Sequence, residues 1–326
     1  MEFYATLGAS CADRETLSAL FGEGMTAARL NLSHTTLDAC APLLERFFAA
    51  AEEAGVKPRL VIDLQGPELR VGTLENPVEL AEGREIVLGE GGVSVPRSVV
   101  DAARVGDRIS LDDSAFLLEV ASGGEGALRC TVLRGGTLQS RKSLALLGRE
   151  IDAPTLTGAD RANLRKAGRY GVTDVLQPFV RGAEDVRAVR QALDWEGLSS
   201  VRVMAKIENR RGMERLDGIL SAADELCIAR GDLGNAQPLW ELPRLQKQIA
   251  RRCREAGKPF CVATQLLWSM ESRAVPTRAE VLDIYNAVLD GASGLMLTGE
   301  TAAGKYPVKA MRYLVRTANT ALMDKK

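Results

Sequence analysis

The chain has 326 residues, of which 46% are hydrophobic and 26% charged, enough apolar material for one large core. Lysine plus arginine (42) almost cancels aspartate plus glutamate (43), so no global field points to nucleic acid or to an acidic membrane as partner. The six cysteines lack metal-finger spacing, no apolar run is long enough to span a bilayer, and no basic segment followed by an apolar one opens the chain; a cytoplasmic protein with reduced thiols is expected.

Short apolar runs recur along the chain at Tyr4–Leu7, Ala27–Leu30, Leu60–Asp63, Asp174–Leu176, Val201–Ala205, Leu226–Ala229, Phe260–Ala263 and Gly294–Leu297. A parallel strand buried on both faces reads in this way. Segments of helical period separate the runs, among them Leu37–Ala54, Asp160–Ala167, Ala183–Leu193, Leu245–Ala256 and Arg278–Leu289. Strands and helices in that alternation predict an α/β fold, a (β/α)8 TIM barrel, with a doubly wound open sheet as the alternative. The rhythm breaks over residues 75–148, where Glu85–Val93, Arg108–Leu111, Phe116–Val120 and Ala127–Val132 read as strands between Gly- and Asp-rich turns. A small all-β lid domain inserted after strand 3 is therefore expected, with 1–74 and 149–326 forming the barrel. Such an insertion at the C-terminal end of a barrel strand is placed to exclude water from a site there.

Chemistry-bearing residues gather where the strand runs end. Lys206 and Glu208 follow one run, and Arg230 and Asp232 follow the next. Arg29, Asn31, Ser33 and Asp63 occupy equivalent places, as do Gln177, Arg181, Thr264, Gln265, Thr298 and Glu300. In barrel enzymes the C-terminal strand ends carry the site. A lysine beside two carboxylates predicts an anion held together with a metal, and Glu208 and Asp232 are the hard oxygen ligands that magnesium prefers. Arginine, lysine and a divalent ion suit a phosphate-bearing small-molecule substrate. The single histidine, His34, leaves no Ser-His-Asp triad and no Cys-His pair. Gly299–Lys305 has P-loop spacing, but Tyr306 stands where a P-loop needs Ser or Thr and Pro307 follows at once, so that motif is rejected.

An ordered series of segments gives these residues a family context. It runs from Gly24-Met25 and Ala28–His34 through Asp63, Gly66–Arg70, Gly135-Gly136 and Ser140–Lys142. It continues with Pro178–Arg181, Lys206–Asn209, Ala229–Gly234, Gly257–Pro259, Ala263–Gln265, Pro276–Glu280 and Gly299–Ala302. The series resembles the pyruvate kinase family from Thr6 to about Leu314. The resemblance implies a glycolytic kinase transferring phosphate from phosphoenolpyruvate to ADP, giving pyruvate and ATP, with Mg2+ and K+ as cofactors. It implies that Arg29 and Lys206 hold the phosphoryl group and that Glu208 and Asp232 bind magnesium. Gly231 and Asp232 would hold the substrate carboxylate through their backbone, with the Thr264 hydroxyl, and Thr264 would lie on the route of the proton. Asn31, Ser33, Asp63 and the carbonyl of Leu64 match the potassium ligands, with Glu68 accompanying potassium dependence. Arg70, Lys142 and His34 fall where the nucleotide phosphates bind.

Departures concern the nucleotide. Gln65, Ala145 and Ala303 stand where the family has a basic residue, asparagine and lysine, and Ala9 follows Gly8 directly where the family usually has a proline before the Ala-Ser pair. The family's C-terminal regulatory domain has no counterpart in the sequence, although association into a homo-oligomer through the barrel stays open. An alternative is a divergent metal-enolate enzyme, a lyase, aldolase or decarboxylase acting on pyruvate-like acids without a nucleotide.

Overall fold

In the computed structural model, residues 1–33, 35–112, 115–147, 151, 153–236 and 238–324 are described. They divide into two compact units, Met1–Gly66 with Thr155–Lys326, and Pro67–Pro154.

Eight strands close the first unit into a barrel: β1 (Glu2–Thr6), β2 (Ala27–Asn31), β3 (Arg59–Asp63), β4 (Asp174–Gln177), β5 (Arg202–Ile207), β6 (Glu225–Ala229), β7 (Phe260–Ala263) and β8 (Gly294–Leu297). Every neighbouring pair is parallel, and β8 returns to β1 with Glu2 opposite Gly294. Each expected strand is present, so the open-sheet alternative falls. One boundary differs in a way that matters: β5 runs on through Lys206, which pairs in register with Cys227, so this lysine belongs to the strand and only Glu208 lies beyond it.

Alternation along each strand sorts the side chains. Tyr4, Ala27, Val61, Leu176, Met204, Cys227, Cys261 and Met296 form one buried cluster, the packed interior of the barrel. The intervening residues, such as Leu60, Ile62, Val203, Ala205, Ile207, Leu226 and Ile228, join a larger cluster with the apolar faces of the surrounding helices. Local signals start several of these helices. Thr157 and Asp160 form a capping box for Gly158–Ala167, Thr277 and Glu280 form another for Arg278–Leu289, and Asp13 caps Arg14–Gly22. No helix among the described residues is long and apolar enough to cross a membrane.

At the N-terminal strand ends Arg59 is bonded to Asp174 and, at 3.1 Å, to Glu225, while Arg202 reaches Glu225 at 2.9 Å. Asp174 and Glu225 are almost fully buried, and the Arg59 guanidinium lies over the Tyr4 ring, 5.5 Å from its centroid. These groups satisfy one another at the end of the barrel opposite the candidate site.

The second unit enters the chain between β3 and β4. It holds a five-stranded antiparallel sheet ordered Leu144–Leu146, Arg108–Leu111, Phe116–Gly124, Ala127–Arg134 and Glu85–Gly89, together with a pair made by Val78–Leu80 and Gly136–Leu138. Glu125 and Gly126, both with positive φ, close the long hairpin as the right-handed twist of its strands favours. A helix, Arg97–Ala102, accompanies the sheets. The unit extends on both sides of the β-rich stretch 75–148, because Val71, Leu69, Leu74 and Ile151 pack into its core and Arg70 bridges Ser143.

Candidate active site

Inward-facing positions at the C-terminal ends of β2, β3 and β5 bring Arg29, Asp63 and Lys206 together. Arg29 donates from Nε and Nη2 to Asp63 Oδ2 at 2.9 and 2.5 Å, and from Nη1 to Thr6 Oγ1 at 3.2 Å. Lys206 Nζ stands 3.7 Å from the same Asp63 oxygen and 3.3 Å from Glu208 Oε2. Two cations thus share one face with two carboxylates that are almost fully buried. The other Glu208 oxygen accepts the Phe179 backbone N–H at 2.7 Å, with Phe179 in the left-handed region to present it.

Burial drives the electrostatics. It pushes the Glu208 carboxyl up to about 8, against the pull of the Lys206 ammonium and with the help of the Asp232 charge. Burial alone would lower Lys206, but Asp63, Glu208 and Asp232 together outweigh it and hold the ammonium well above its ordinary value. Lys206 is therefore a fixed cation.

Two oxygens test whether cations fit here. Asp63 Oδ1 and Glu208 Oε2 are buried and have no hydrogen-bond partner among the described residues. A buried carboxylate oxygen left so is costly when ionised, and either a proton, as burial favours on Glu208, or a metal ion removes that cost. No cluster of three or more His, Cys, Asp or Glu suited to a metal occurs among the described residues. Magnesium is commonly held by one or two carboxylates with the remaining oxygens from substrate and water. Asn31 lies opposite Asp63 in the β2–β3 ladder, its side-chain oxygen accepting the Ser33 N–H at 3.0 Å, and Leu64 follows at the same rim. Asn31 and Asp63, two of the residues expected for potassium, thus stand side by side at one strand end.

Across the mouth, Asp232 and Gly231 lie in the short helix Arg230–Ala236 that leaves β6. A Cβ on Gly231 would meet Thr264 Cγ2 at 3.2 Å, so glycine lets the Thr264 side chain approach this backbone. Thr264 has φ +77° and Gln265 φ +56°. A β-branched residue in that region is an outlier costing on the order of 1–3 kcal/mol, and such strain concentrates at functional sites.

Other expected residues have partners of their own. Arg181 is bound to Asp185 and Thr155. Glu300, fully buried, accepts the N–H groups of Leu267 and Thr298. Arg70 is held by Glu68 and the Arg141 carbonyl, and Lys142 pairs with Asp112; all of these belong to the second unit. His34 is outside the described residues. Sequence reasoning missed Thr6, which orients Arg29 while donating to the Leu297 carbonyl at 2.8 Å. Its signal was a hydroxyl at an inward position of an otherwise apolar strand.

Comparison with known proteins gives this geometry a context. A family model described as pyruvate kinase, barrel domain, matches residues 2–311. The pyruvate kinase of Aeropyrum pernix is 39% identical over 324 residues, an alignment covering 98% of this chain and 70% of the relative. That of Geobacillus stearothermophilus is 37% identical over 325 residues, covering 96% and 55%. Pyruvate kinase PKLR of Homo sapiens is 38% identical over 347 residues, covering 99% and 60%. The chain thus spans little more than half to about two thirds of the length of these relatives.

Proposed function

The chain belongs to the pyruvate kinase family, and from that membership we propose that it is a phosphotransferase passing the phosphoryl group of phosphoenolpyruvate to ADP. The observation that carries the reading is the pairing of two cations, Arg29 and Lys206, with the buried carboxylates of Asp63 and Glu208, each of which keeps one oxygen without a hydrogen bond. Cations and an anion must meet on one face for this reaction.

In this reading Arg29 and Lys206 hold the phosphoryl oxygens. Lys206 stays charged throughout because three carboxylates surround it. The backbone of Gly231 and Asp232 and the Thr264 hydroxyl orient the substrate carboxylate. The bond from phosphorus to the enol oxygen breaks as one to an ADP phosphate oxygen forms, and the enolate then takes a proton at its terminal carbon along a route that includes the Thr264 hydroxyl. Magnesium, held by Glu208 and Asp232, supplies charge neutralisation that side chains alone do not. Potassium fits the oxygens of Asn31, Ser33, Asp63 and Leu64, and Arg70 and Lys142 are the proposed contacts to nucleotide phosphates.

A metal-enolate enzyme without nucleotide is the second reading, favoured by the uncharged Gln65, whose side chain is tied to Thr157 at 3.3 Å. The test is pyruvate formation from phosphoenolpyruvate with magnesium and potassium, with and without ADP. Pyruvate only in the presence of ADP, with ATP in equal amount, is expected. Pyruvate without ADP removes the nucleotide as acceptor, and no pyruvate in either case refutes the kinase reading.

A further inference from the structure

We infer that Arg230 is a positioning residue that holds Thr264 in its left-handed conformation and so aims the Thr264 hydroxyl at the substrate. The β6–β7 ladder ends with Ala229 opposite Ala263, and Arg230, which opens the helix Arg230–Ala236, and Thr264 are the next residues along the chain. Beyond the ladder, the Thr264 carbonyl has lost the run of backbone donors that a continued sheet supplies. The guanidinium of Arg230 takes their place, donating from Nε at 3.1 Å and from Nη2 at 2.7 Å to that single oxygen. Its remaining edge is anchored, with Nη1 2.6 Å from Asp283 Oδ2, and its side chain is only 10% exposed.

The arrangement reaches Thr264 from both sides. Gly231, next to Arg230, gives the Thr264 side chain room, while Arg230 fixes the Thr264 main chain at φ +77°. A lysine carries the same charge but cannot donate from two fixed nitrogens while a third meets a carboxylate. The fork, rather than the charge, is what the site uses. Asp283 acts one step further out, by restricting the rotation of the fork.

The inference rests on the proposed role of Thr264 in delivering a proton, so its test is chosen to be independent of ADP. Reversal of enolate protonation exchanges the methyl hydrogens of pyruvate with solvent deuterium, which NMR follows with magnesium and potassium present. Arg230→Ala and Arg230→Lys are expected to slow exchange on the order of ten- to a hundredfold, as misplacement of a reacting group by an ångström does. Because Arg230 acts through Thr264, the double variant Arg230→Ala/Thr264→Ala is expected to match Thr264→Ala within about twofold, as effects in one coupled unit are not additive. Asp283→Asn, which leaves the fork in place, is expected to show a smaller loss and provides the readout if Arg230→Ala does not fold. Exchange within twofold of wild type in both Arg230→Lys and Asp283→Asn overturns the inference, as does multiplication of the two losses in the double variant. Exchange in the wild type without ADP-dependent turnover removes the kinase reading and leaves this one standing.

Discussion

Glu208 offers a thermodynamic test that needs no substrate. Its carboxyl is raised from 4.5 to about 8 by burial, so between these values the folded protein holds a proton that the unfolded chain has released. Stability then falls as pH rises, because the folded state binds more protons across that window. The 3.5-unit difference corresponds to on the order of 5 kcal/mol over the whole window, of which about 2 kcal/mol falls between pH 6 and pH 8. For a protein of this size that is a lowering of Tm by roughly 3 °C. The assay is thermal unfolding followed by circular dichroism at pH 6 and pH 8 in a chelator, with wild type beside Glu208→Gln. The glutamine variant is expected to lose most of this pH dependence. Magnesium, which takes the place of the proton, is expected to reduce it in the wild type. Equal pH dependence in the two proteins refutes the assignment of a buried, proton-holding Glu208.

Lys206→Met is expected to lower turnover on the order of a hundredfold or more, since it removes a fixed cation from the moving charge, and steady-state pyruvate formation reads it. Full activity in a sodium-only buffer would contradict the potassium site built on Asn31 and Asp63, where reduced activity restored by potassium is expected. Calorimetry with magnesium present is expected to show ready oxalate binding and weaker ADP binding, and Gln65→Lys with Ala303→Lys to tighten ADP by roughly 5- to 150-fold without changing oxalate. At the opposite end of the barrel, Arg59→Met is expected to destabilise the protein by up to about 3 kcal/mol in urea unfolding, because Asp174 and Glu225 would remain buried with only the partly exposed Arg202 to offset them.

The barrel was legible because each of its strands is buried on both faces and so writes an unbroken apolar run into the chain. Where a polar residue is accommodated inside a strand, that signal stops early, which is why Lys206 read as lying beyond β5. Three-residue strands such as Val78–Leu80, Gly136–Leu138 and Leu144–Leu146 carry too little periodicity to be seen, and they exist only because a partner far along the chain pairs with them. The charged members of the site were found as residue types at strand ends. What they touch was not. Sequence cannot say that Arg29 meets Thr6 and Asp63, that Phe179 donates to Glu208, or that Arg230 turns toward a carbonyl 34 positions away. Such contacts depend on strand order and register, which arise only when the barrel closes.

The interior of the barrel has ionic groups at its two ends and a neutral middle. Tyr4, Ala27, Val61, Leu176, Met204, Cys227, Cys261 and Met296 separate Arg59, Asp174 and Glu225 from Arg29, Asp63 and Lys206. This stratum is of low dielectric and screens nothing, so a net charge introduced below it is felt above it, weakened by distance alone. Evolution, or an engineer, can therefore rebuild the lower end for heat tolerance without disturbing the proton affinities of the reactive end when the exchange leaves the charge balance of Arg59, Asp174 and Glu225 unchanged.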